Sequence, residues 1–178
     1  MKSIKNHSRN ILILASLVLI AAAAAVVFYP FSNERQKEIV IGACFALVAL
    51  LCFVSFSLNK RIYFRPGWLL QTSFFLTIFA LLIFFLPVLD FELNVTVYAF
   101  LAFFIASAQF CAAIQLSALE IKRWWWILIF SIINILFGVY FLKLCSVLNV
   151  SEYPSVGVYL VFLAVNFSSE SFVYNKRR

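Results

Sequence analysis

Charge is scarce in this chain. Asp, Glu, Lys and Arg together make up 12% of its 178 residues, where ordinary soluble domains carry about 25%. Hydrophobic residues make up 65%, too many for a soluble core and its solvated surface, so a soluble fold is excluded first. Histidine is nearly missing as well: His7 stands alone near the N-terminus, and one imidazole cannot complete a usual zinc ligand set. The four cysteines, Cys44, Cys52, Cys111 and Cys145, show no CxxC spacing, which leaves them as small apolar fillers of helix interfaces. Glycine is equally sparse, with four residues and no GxxxG, GxSxG, P-loop or dinucleotide pattern. These absences predict a protein that is not an enzyme and holds no cofactor or metal. Nucleic acid is excluded as a partner, because the net charge of +7 in so apolar a chain sets membrane orientation instead.

What is present is long apolar runs. A membrane-crossing helix needs about 20 apolar residues, and six segments qualify: 11–29, 39–58, 67–86, 95–116, 124–142 and 155–172. The predicted fold is an all-α integral membrane protein of six transmembrane helices, forming one domain over residues 1–178. Short polar turns separate the spans, as antiparallel neighbours require. Both termini are predicted cytoplasmic, because 11 of the 14 basic residues fall on the side of the termini and three (Arg35, Lys37 and Lys143) on the other. Trp68, Trp124, Trp125 and Trp126, with Arg65 and Arg123, are expected to anchor the cytoplasmic interface, and Tyr29, Tyr98 and Tyr153 the outer one. Aromatic rings with a polar tip favour that depth. The first span has a basic start and five alanines, Ala21 to Ala25, but its apolar run is longer than the 7–15 residues usual in a secretory signal, so it is read as a retained helix.

Sliding the chain by 57 residues brings Pro30 onto Pro87 and Ser16 onto Ser73; a further 57 brings Trp68 onto Trp125. The same offset groups Phe53, Phe110 and Phe167. It predicts three helical-hairpin units, about 1–58, 59–116 and 117–178. A unit of two spans returns the chain to its starting side, so the three would be parallel repeats around an axis along the membrane normal.

The same offset aligns Ile20, Thr77 and Asn134 in the odd spans, and Cys52, Gln109 and Asn166 in the even ones. Amides at membrane depth must point into the bundle. Thr77, Gln109, Asn134 and Asn166 are therefore the candidate buried polar contacts. Two roles stay open for them: bonds that hold helices together, or a polar pathway of a small-solute transporter or channel. No Asp, Glu or His lies in mid-span, which argues against proton-coupled transport. Glu170, near the cytoplasmic end of the sixth span, is expected to reach water. Small residues on the second and fourth spans (Gly42, Ala46, Ala102, Ala106) leave a homo-oligomer or a membrane-protein partner open beside the lipid bilayer itself.

The segments Arg65-Pro66-Gly67-Trp68 through Pro87, and Lys122-Arg123-Trp124-Trp125-Trp126 through Gly138, resemble the short membrane repeat of the bacterial HdeD family. Leu144 stands where that repeat has proline, and Leu81 and Ala24 stand in the places equivalent to Gly138. The resemblance implies a multi-pass protein of the bacterial inner membrane associated with acid resistance and stress response, supporting membrane or partner-protein integrity. It also draws attention to five acids on the outer side, Glu34, Glu38, Asp90, Glu92 and Glu152, which an acidified exterior would titrate.

Overall fold

The computed structural model describes residues 2–31, 33–59, 67–85, 91–121, 124–147 and 152–173, with side chains described over 9–31, 33–58, 67–85, 95–121, 124–143 and 153–171. Six helices make up the fold, and the described residues contain no strand: α1 (Lys2–Phe28), α2 (Glu34–Asn59), α3 (Gly67–Phe85), α4 (Phe91–Ala118), α5 (Trp124–Val147) and α6 (Glu152–Val173). Most run past the apolar segments that announce them. Helical hydrogen bonding does not stop where the first charge appears, so α1 begins at Lys2 instead of residue 11, and α2 at Glu34 instead of 39. Asn33 caps α2 by accepting the Arg35 backbone N–H on its side-chain oxygen at 3.2 Å.

Helices α1 to α5 are long and apolar enough to cross a membrane. Their outward faces carry Leu14, Leu17, Phe53, Phe74, Phe110 and Leu136, all exposed. A soluble bundle would place polar residues there, so the apolar exterior is that of a multi-pass membrane protein. Helix α6 is not among the five. Its outward residues Val158, Val161 and Val165 are as apolar as its neighbours', whereas Asn166, Glu170 and Ser171 are turned inward.

The most extensive helix seams are α4 with α5, α1 with α6 and α2 with α3; α1 with α2 follows, α3 with α4 is looser, and α6 meets α4 and α5 only slightly. Close approach depends on small residues. A side chain on Gly157 of α6 would run into Val27 and come close to the Ala23 carbonyl of α1, and one on Gly42 of α2 would stand 3.1 Å from Ile83 of α3. Serines tie two of the seams: Ser73 Oγ donates to the Ala49 carbonyl (2.8 Å) and Ser131 Oγ to the Ala106 carbonyl (2.8 Å). At the far end of α3, Arg35 donates to the Ile83 and Phe84 carbonyls at 3.0 and 2.9 Å. These carbonyls lack intrahelical donors, and a cation suits the negative end of a helix.

Burial follows a regular ladder. On α1 the buried positions are Leu12, Ala15, Ser16, Leu19, Ala22, Ala23 and Val26. On α3 they are Leu69, Thr72, Ser73, Leu76, Phe79, Ala80 and Ile83, each 57 residues later. On α5 the matching residues Ile127, Phe130, Ser131, Asn134 and Phe141 are buried 58 residues later. The inward faces of α4 and α6 are also related by 58. The single added residue falls between Leu116 and Ile127, in the turn where Glu120 adopts a left-handed backbone (φ 55°). There the Ile121 N–H reaches the Leu116 carbonyl (3.0 Å) and the Glu120 N–H the Ser117 carbonyl (2.9 Å), the paired bonds of a Schellman C-cap.

The one-residue shift corrects the predicted alignment. Ile20 and Thr77 face outward while Asn134 is buried, and Asn166 lines up with Ala108 on the inward face instead of with Gln109. Two of the expected outer anchors, Tyr98 and Tyr153, are likewise buried, and only Tyr29 is exposed. Tyr153 stacks beneath the Lys37 ammonium at 4.2 Å.

Candidate functional site

The inward stripe of α6 carries Tyr159, Asn166 and Glu170, spaced seven and four residues apart so that they share one face. Val158, Val161 and Val165 hold the opposite face to the outside. Against this stripe stand Asn134 of α5, Gln109 of α4, Trp68 of α3 and Cys52 of α2, all buried. The polar groups form a connected line. Tyr159 Oη donates to Asn134 Oδ1 (3.2 Å). Asn134 Nδ2 donates to Gln109 Oε1 (2.8 Å) and to the carbonyl of Phe130 (3.1 Å). The amide of Gln109 and the indole of Trp68 face the carboxyl of Glu170, and Cys52 lies within its electrostatic reach. From Tyr159 to Glu170 the line extends about 16 Å along the helix axis, at 1.5 Å per residue.

Of the four polar residues predicted from sequence, Gln109 and Asn134 bond directly to each other. Asn166 is buried on the same face, and its Oδ1 has no hydrogen-bond partner. Thr77 does not join them. It lies on the exposed face and donates to the Ser73 carbonyl of its own helix at 2.8 Å, which satisfies its hydroxyl without any inward contact.

The expected anchors divide. Trp125 and Trp126 are 44% and 48% exposed and stack with centroids 4.4 Å apart. Trp124 is partly buried against the core. Trp68 is a correction: at 3% exposure it sits inside the bundle, with its indole facing the Glu170 carboxyl. Arg65 and Arg123 lie outside the described residues. Glu170 is a second correction. It is 3% exposed instead of reaching water, with the Trp68 indole, the Gln109 amide and the Cys52 thiol near its carboxyl. Among the acids expected on the outer side, Glu38 is buried and ion-paired to Arg35 at 2.9 Å, and Glu34 is exposed. Asp90 lies outside the described residues, and the side chains of Glu92 and Glu152 are not described.

Reasoning from sequence missed Tyr159, Trp68 and Glu170 as members of one cluster. The signal was the valine face of α6: placing Val158, Val161 and Val165 outward leaves 159, 163, 166 and 170 inward at 100° per residue. The two described cavities lie elsewhere. One, of about 400 Å³, is an apolar groove between α5 and α6 lined by residues including Leu136, Phe137, Tyr140 and Val158. The other, of about 480 Å³, lies between α4 and α5 beside Phe110, Ser117 and Trp124. Neither is lined by Gln109, Asn134, Asn166 or Glu170.

Residues 71–143 are similar to a short repeat of unknown function, DUF308, a stretch that runs from the first turns of α3 through most of α5 and contains Gln109 and Asn134. No curated protein and no solved structure matches the chain.

Proposed function

We propose that the chain is a non-enzymatic bundle of the bacterial inner membrane that crosses six times, has both termini in the cytoplasm, and supports membrane or partner-protein integrity under stress. The observation that carries this reading is the direct bonding of Asn134 to both Tyr159 and Gln109 in the core. A solute pathway needs polar groups that face a hydrated space. Amides already spent on each other serve helix association instead, each bond contributing about 0.6 kcal/mol on average in membranes.

A three-fold plan agrees with this role. The major seams join each even helix to the next odd one, α2 to α3, α4 to α5 and α6 back to α1. A rotation taking one hairpin unit to the next would also take seam to seam, as three parallel repeats about an axis normal to the membrane require. The acid-stress setting comes from the resemblance to HdeD-type proteins, with which the match to the short repeat agrees.

The test is deletion of the gene in its own host, with survival scored from neutral to acidic pH and uptake of small ionic and neutral solutes followed in the same cells. The expected result is lower acid survival, restored by the intact gene, with unchanged uptake. Altered uptake at neutral pH with intact survival would reject the structural reading in favour of transport.

A further inference from the structure

Two oxygen atoms in the bundle have no hydrogen-bond partner although they are buried: Asn166 Oδ1 and Glu170 Oε2. Their residues are 1% and 3% exposed. They lie four residues apart on the inward stripe of α6, the spacing at which side chains on a helix meet. An orphaned buried acceptor is costly, about 1–3 kcal/mol each, and here two belong to residues one turn apart on the same face. As placed, both oxygens are acceptors when Glu170 is ionised, so the two cannot bond to each other. One added hydrogen changes this, because a protonated carboxyl becomes a donor.

We propose that Asn166 and Glu170 form a proton-binding site inside the bundle, in which the Glu170 carboxyl carries a proton on Oε2 and donates it to Asn166 Oδ1. The surroundings fit a proton better than a metal cation. Hard cations gather about six oxygen ligands, and among the described residues only these two buried side-chain oxygens on this face lack a hydrogen-bond partner. The groups facing the carboxyl from neighbouring helices are neutral: the Cys52 thiol from α2, the Trp68 indole from α3 and the Gln109 amide from α4. On α1, the contact of Gly157 with Ala23 and Val27 sets an antiparallel register that puts Leu12 beside Glu170 and Arg9 about one turn further toward the helix end. The Arg9 Nε atom is itself buried without a partner, and no ion pair joins it to Glu170 among the described residues. The carboxyl is therefore enclosed by donors and apolar groups, with a cation held one turn away.

The test is infrared difference spectroscopy of the full-length protein in lipid nanodiscs at neutral pH, comparing wild type with Glu170→Gln. The expected result is a protonated-carboxyl C=O band in the wild type that shifts in D2O and is missing from the variant. Asn166→Ala is the second variant: it keeps the carboxyl but removes the acceptor, and moves the same band to higher frequency as its hydrogen bond is lost. Labelling of wild-type protein by dicyclohexylcarbodiimide, which captures protonated carboxyls in apolar surroundings, is expected at Glu170 in peptide maps and gives a readout even if Glu170→Gln fails to fold. Carboxylate bands alone, with no labelling at Glu170, overturn the proposal. Protection of Glu170 from labelling by Na+ but not by choline, at fixed pH, overturns it in favour of a sodium site.

Discussion

At the scale of single residues, the Gln109–Asn134 bond decides whether the core amides hold helices together. Replacing one partner leaves the other buried and short of a hydrogen bond, whereas replacing both removes the need. Asn134→Leu and Gln109→Leu are each expected to lower stability by about 1–2 kcal/mol. The double variant should cost clearly less than the sum, as read from denaturation in mixed micelles. Additive losses would mean that the two side chains do not depend on each other. The sequence made these two amides legible, since an amide at mid-span has nowhere to go but inward. It did not reveal which partner each would find. Thr77 was misleading for the same reason: a hydroxyl, unlike an amide, can satisfy itself on the preceding turn, and it does so at the Ser73 carbonyl. Glu170 was misread because it stands near the end of the sixth apolar run, where a carboxyl is expected to reach water, whereas it and Ser171 are both buried.

At the scale of elements, the seams depend on what small residues admit. Gly157 presses on α1 at Val27, whereas nothing stands within 4 Å of a side chain added at Gly67. Gly157→Leu is therefore expected to destabilise the bundle by about 1–3 kcal/mol through overpacking. Gly67→Ala should stay within about 0.5 kcal/mol of the parent. Equal effects at both sites, measured by thermal unfolding in detergent, would show that α1 and α6 do not meet as closely as described. The turn after α4 offers the opposite kind of change. Glu120 occupies a left-handed conformation that costs a side-chain-bearing residue about 1 kcal/mol, so Glu120→Gly should raise the unfolding midpoint, and a fall would place the strain elsewhere. The existence and order of all six helices could be read from apolar runs alone. Their ends could not, since apolarity stops at the interface and helical bonding continues beyond it. The one-residue difference between the 57 and 58 offsets was equally hidden, because Leu, Phe and Ala match at either register, and burial is what separates the two, with Ile127, Asn134 and Phe141 inward where Trp126 and Tyr140 are exposed.

For the whole molecule, the open question of architecture is the sixth crossing. Five helices meet the length and apolarity of a span, and α6 differs from them by turning its polar residues toward its neighbours instead of lacking them. A helix packed into a bundle needs to be apolar only where it meets lipid, and the exposed Val158, Val161 and Val165 provide that. If α6 crosses, the C-terminal end returns to the side of the N-terminus; if it does not, the two ends lie on opposite sides. The distinction can be measured by placing single cysteines in a chain whose own four are changed to serine, and labelling intact cells with a membrane-impermeant maleimide. Asn33→Cys, in the turn before α2, is expected to label from outside. Leu119→Cys, in the turn after α4, should label only after permeabilisation, since four crossings return the chain to the side of the N-terminus. Asn175→Cys is the decisive position: labelling only after permeabilisation accords with six crossings and with the basic residues that follow α6 remaining on the cytoplasmic side. Labelling from outside would leave five crossings, place Lys176, Arg177 and Arg178 on the wrong side for their charge, and remove the basis for a closed three-fold bundle in which α6 seals against α1.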